Sequence, residues 1–154
     1  MENRLEKKKE NGTDEAVILA QWQTCVEMAN SVSQRRDTMN NLCVILNLAI
    51  VAAISFIWDT KTIALLIAGA LVCIIWLLFI RNFRELNRAK FHVINRIETC
   101  LPVNAFDEEW EFLEKNKKYI EGTKLERSMP LVFLLLYAGI FIFIVMTNSQ
   151  GGKA

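Results

Sequence analysis

Apolar residues in this chain are gathered into three uninterrupted blocks. Asn41 to Trp58, Thr62 to Ile80 and Pro130 to Thr147 are each about 18 residues long and carry no charged side chain. Wound as a helix, each spans roughly 27 Å, which matches the hydrocarbon core of a bilayer. The pattern predicts an all-α integral membrane protein with three transmembrane helices, at 41–58, 62–80 and 130–147.

Outside the blocks the spacing is that of amphipathic helices. Residues 1–12 are charged and include Gly12, and composition predicts a disordered tail. Thr13 is a candidate N-cap, with Asp14 and Glu15 in the first turn. Ile18, Leu19, Trp22, Cys25, Val26, Ala29 and Val32 then recur at intervals of three and four, so a helix over 13–40 is expected to run into the first span, with a bend near Asn40. Phe83, Leu86, Val93, Ile94, Ile97 and Leu101 continue a stripe beyond the second span until Pro102 stops it. Asp107 is a candidate cap for a shorter helix carrying Trp110, Leu113 and Ile120. Gly122 breaks the chain, and Thr123 with Glu126 fits a capping box before the third span. Pro130 is tolerated near a helix start. The region 81–129 is thus expected to be helical and extramembrane, and 148–154 to be a short tail.

Charge orients these elements. Arg35 and Arg36 precede the first span. Arg81, Arg84, Arg88 and Lys90 follow the second. Lys115, Lys117, Lys118, Lys124 and Arg127 precede the third. Of 18 Lys and Arg, 16 fall on one side and only Lys61 and Lys153 on the other. The positive-inside rule predicts a cytoplasmic N-terminus and an external C-terminus, with the first two spans joined as a tight hairpin at Asp59-Thr60-Lys61. Trp58 is expected at the outer interface, and Trp76 and Phe79 near the inner one. No apolar h-region follows Lys7, Lys8 and Lys9, so no signal peptide is read.

Candidate chemistry is sparse. The four cysteines, Cys25, Cys43, Cys73 and Cys100, form no CxxC pair and read as free thiols, and the lone His92 has no second His for a metal pair. Asp107, Glu108, Glu109 and Glu111 lack calcium-loop spacing and its central Gly. They read as solvated surface, or as partners of the basic cluster on a neighbouring subunit. Nucleophile–base, phosphate-loop and GxSxG patterns are missing, so no enzyme, cofactor or nucleic-acid partner is expected.

Four sets of residues stand out. Asn47 is the one strongly polar side chain well inside a span. It reads as an interhelical hydrogen bond worth roughly 0.6 to 2 kcal/mol, ahead of a pore-lining role. Ala64, Ala68 and Gly69 belong to a small-residue cluster in the hairpin, which reads as packing within it or as a seam between subunits. Arg81, Arg84, Arg88 and Lys90 either serve topology alone or bind anionic lipid headgroups, at roughly 1 kcal/mol per cation. Trp22, Phe91 and Trp110 are hard to cover in so small a subunit, and exposed aromatics mark association surfaces. Two function classes follow. The first is a non-enzymatic oligomeric scaffold whose extramembrane helices recruit a soluble protein. The second is a channel or membrane-perturbing effector in a stress or defence module.

The order of short elements is also informative. It runs Trp22, Glu27 and Ala29, then Arg35-Arg36; Leu46-Asn47; Asn87-Arg88-Ala89-Lys90-Phe91; Leu101-Pro102 with Phe106 and Glu109-Trp110; and Tyr119 before Glu126 and Pro130. Over roughly residues 16–140 it resembles the RipA-like family of small bacterial inner-membrane proteins, described as octameric. The resemblance implies a ring-like homo-oligomer with a cytoplasmic helical belt, and no catalytic residues.

Overall fold

The computed structural model describes the backbone of residues 2–56, 61–116 and 122–151, and the side chains of 14–56, 62–116 and 122–147. Trp58, the turn residues Asp59 and Thr60, Lys117, Lys118, Tyr119, Ile120 and the last three residues of the tail lie outside the described residues. Within them the chain is all helical, in the order α1 (Glu2–Phe56), α2 (Lys61–Glu98), α3 (Ala105–Lys115) and α4 (Gly122–Gly151). Three helices are long and apolar enough to cross a membrane, over Asp14–Phe56, Thr62–Glu98 and Gly122–Thr147.

Helix limits depart from the sequence reading in four places. α1 begins at Glu2, so residues 2–12 are helical and not a disordered tail. Glu, Lys and Arg are good helix formers, and extending an existing helix needs no new nucleus. The helix is also unbroken through Asn40. α2 ends at Glu98, and the chain turns through Cys100 N–H to Ile97 O and Leu101 N–H to Glu98 O before Pro102. Asp107 lies inside the first turn of α3, whose cap position is Asn104. Gly122 is the first residue of α4, and Pro130 lies within that helix.

The helices divide between two compact units. One contains α1 from Arg36, α2 up to Asn82, and α4. Its helix directions can be read from the hydrogen bonds. Arg36 pairs with Glu126 and Asn47 with Tyr137, and both pairs are 90 residues apart. A constant offset means that α1 and α4 run parallel and in register. Asn40 meets Trp76 at a separation of 36 residues, and Asn47 meets Cys73 at 26. A separation that shrinks toward the connecting turn means that α1 and α2 are antiparallel. The core of this unit is Ile54, Leu66, Cys73 and Tyr137, with a second cluster of Cys43, Trp76 and Ile80.

The other unit contains α1 up to Arg35, α2 from Phe83, and α3. Ala29 and Val32 of α1 and Ile94 of α2 are buried there. Leu19, Leu86 and Val93, expected on the inner stripes, are exposed. The half-buried Asn87 and Asn95 and the buried Glu98 take inner positions on α2, so part of this core is polar.

Candidate functional site

Asn47 is completely buried inside its own subunit. Its Nδ2 donates to the Cys43 carbonyl one turn earlier at 2.8 Å. Its Oδ1 accepts from the Tyr137 hydroxyl at 2.8 Å and from the Cys73 thiol at 3.2 Å. One amide therefore ties α1 to both α2 and α4. Polar groups in hydrocarbon must be satisfied by protein, and three helices meet that need here. The amide has no exposed surface left on its own chain. Of the two readings of Asn47, the geometry matches the interhelical bond.

Gly69 explains how Tyr137 reaches it. A Cβ at position 69 would lie 2.5 Å from Tyr137 Cζ and 2.7 Å from Cε2. The phenol ring rests on bare backbone, which lets α4 approach α2 closely. Ala64 and Ala68 behave differently, because both are exposed and do not pack inside the hairpin. Their small-residue spacing leaves a smooth strip on the outside of α2. Tyr137 and Cys73 escaped the sequence reading, because in an apolar run both count as apolar.

A second polar cluster joins Arg36, within α1, to the first turns of α4. Arg36 Nε donates to Glu126 Oε2 at 2.7 Å, and Nη2 bonds the same oxygen and, at 3.1 Å, Thr123 Oγ1. Thr123 and Glu126, read as a capping box, thus serve as the two acceptors of Arg36. A guanidinium of fixed fork geometry outcompetes the local cap, since a charge-assisted bond is about twice as strong as a neutral one. Trp76 also departs from expectation. It is buried against Phe133, with Nε1 donating to Asn40 Oδ1 at 2.8 Å. The aromatic-belt rule reads position along the helix and not the direction in which the side chain faces.

In the other unit, Phe106 gathers the aromatics. Its ring centroid lies 5.8 Å from that of Trp22 and 5.6 Å, edge-on, from that of Phe91. Trp22 and Phe91 are therefore partly covered by their own chain and remain half-buried. Trp110 remains 54% exposed, as expected. The buried Glu98 caps α3 from outside, its Oε1 accepting the Phe106 N–H at 3.2 Å, while Asn104 makes no side-chain cap. Glu98 Oε2, Asn87 Oδ1, Asn95 Oδ1 and Trp22 Nε1 are buried without a hydrogen-bond partner. Among the cationic candidates, Arg81 and Arg88 are exposed, while Arg84 and Lys90 are half-buried.

No group of three or more His, Cys, Asp or Glu able to hold a metal ion occurs among the described residues. The arrangement is that of a packed membrane subunit with internal polar ties. No curated protein and no solved structure matches the chain. A family model, described as the octameric membrane protein family (8xMP), matches residues 19–146. That match covers most of the chain, three membrane-capable helices included, and the chain belongs to the octameric membrane protein family.

Proposed function

We propose that this chain builds a ring-like homo-octamer in the bacterial inner membrane and serves there as a non-enzymatic scaffold, as the RipA-like resemblance suggests. The N-terminus is cytoplasmic and the C-terminus external. The helical extensions of α1 and α2, together with α3, form a cytoplasmic belt that recruits a soluble protein. Anionic lipid headgroups bind at Arg81, Arg84 and Lys90.

The observation that carries the scaffold reading is the inward commitment of Asn47. A pore needs polar groups on an outer helix face, where subunits meet around an axis. Here the one strong intramembrane amide is satisfied within the subunit. Ser55 and Thr147, which are exposed, donate to carbonyls of their own helices. The parallel register of α1 and α4 supports the orientation, because it requires the basic flanks of both helices to lie on one side.

Two experiments test this reading. Reporter fusions after residue 9 and at Lys153 are expected to be active in the cytoplasm and outside it, respectively, and a cytoplasmic signal at Lys153 overturns the orientation. Purified protein in liposomes is expected to pass no ions under a salt gradient. Steady flux proportional to protein would instead favour the channel or membrane-perturbing effector.

A further inference from the structure

α3 is the one helix with no buried residue. Phe106 and Leu113 turn toward the subunit and are half-buried, yet Trp110 is 54% and Phe112 71% exposed. In the membrane-spanning helices, exposed apolar side chains are covered by lipid. That cover is denied to α3, because Asp107, Glu108, Glu109, Glu111 and Glu114 occupy five of its eleven positions. At about 100° per residue, Glu114, Asp107, Glu111, Lys115 and Glu108 fill the arc between Trp110 and Phe112. Lys115 is paired with Glu111 at 2.5 Å, so the arc stays net acidic through Glu114, Asp107 and Glu108. The exposed surface of α3 is therefore an acidic arc bracketed by two aromatic side chains.

A complementary surface lies on α2. Arg88 and Arg96, with His92 between them, are exposed at intervals of four and form a basic stripe. His92 and Arg96 at its far end line a shallow open pocket with Asn104 and Asp107 of the same chain. On the same helical spacing, Ala89, Val93 and Leu86 border that stripe, and all three are exposed. One surface offers acids and aromatic anchors, and the other offers bases beside an apolar edge.

Symmetry says how two such surfaces are used. Charge asymmetry inserts every copy in the same direction, so copies in one bilayer are related by rotation about the membrane normal. Such an assembly has head-to-tail contacts, in which two different surfaces of the chain meet. We infer that the aromatic and acidic surface of α3 docks on the Arg88–Arg96 stripe of the next copy, and that this contact closes the ring. The inference rests on the homo-octamer proposed above.

The test uses two charge-reversed chains with different tags. One carries Glu108→Lys and Glu114→Lys on α3. The other carries Arg88→Glu and Arg96→Glu on α2. Each alone is expected to fall below the wild-type particle mass, because every contact in its ring is repelled. Expressed together they are expected to recover that mass in particles that carry both tags. In an alternating ring each lysine-bearing α3 meets a glutamate-bearing α2, and the remaining contacts are wild type. An attraction inside one chain cannot be rescued this way. A third chain, Trp110→Ala with Phe112→Ala, removes only exposed side chains. It is expected to keep its helix content and lose the ring.

A single-copy mass for the wild type would overturn the octamer itself. A wild-type ring with no loss in any variant, or with no rescue on co-expression, would overturn this contact alone. Unchanged assembly of the third chain would overturn it too.

Discussion

The hydroxyl of Tyr137 reaches Asn47 Oδ1 at 2.8 Å across 90 residues of sequence. The same oxygen takes the Cys73 thiol, so a single acceptor sets the mutual height of three helices. Tyr137→Phe keeps the ring and removes only the donor. It is expected to destabilise the helical unit by about 1 kcal/mol, read as reversible unfolding in bicelles. Asn47→Leu should cost more than Tyr137→Phe, because it leaves both the Tyr137 hydroxyl and the Cys73 thiol in hydrocarbon without this acceptor. Equal stability of Tyr137→Phe and wild type would mean that the Tyr137–Asn47 bond contributes nothing net to the unit.

Gly69 tests the approach of α4. A methyl group placed 2.5 Å from Cζ forces the rigid ring away, and with it the bond to Asn47. Gly69→Ala is expected to cost about 2 kcal/mol or more, through overpacking and the lost bond together. In a Tyr137→Ala background the same substitution should be nearly neutral. Additive effects in that double-mutant cycle would contradict the close contact.

Much of this architecture is legible along the chain, and the reason is physical. An uncharged run as long as the bilayer is thick has few other fates, so the three membrane-capable helices can be picked out by eye. Asn47 stands out because a lone amide in such a run demands a partner. The partner is not legible, since Tyr137 lies two helices away and scores as one more aromatic. Gly69 reads as small, but only the ring above it says why it must be. Ala64 and Ala68 share that smallness and face outward, because period alone gives spacing and not the direction of the neighbour. Trp22 and Phe91 lack cover on paper for a similar reason. The side chain that covers them, Phe106, is brought back by the turn at Pro102.

The Arg36–Glu126 pair sets the register of α1 against α4. With both side chains mostly covered, Arg36→Ala or Glu126→Ala is expected to cost about 2 kcal/mol, through the loss of charge-assisted bonds and the partner left behind. The double change should cost less than the sum of the two. Strict additivity in bicelle unfolding would show that the two side chains act independently.

Glu98 is expected to govern α3 alone. Glu98→Ala removes the acceptor of the Phe106 N–H and should weaken the first turn of α3 by about 1 kcal/mol. Hydrogen exchange should then quicken in Ala105–Lys115 while the amides of α1 remain protected. Glu98→Gln keeps an acceptor and should restore most of the protection. Uniformly faster exchange through α1 and α2 would mean that Glu98 supports the whole unit.

The claim on which the account turns is assembly, and a count of copies tests it most directly. Native mass spectrometry of the protein released from lipid nanodiscs is expected to give one dominant species at eight times the 17.7 kDa chain mass. A dominant single-chain mass, unchanged across protein concentrations and lipid compositions, would contradict it.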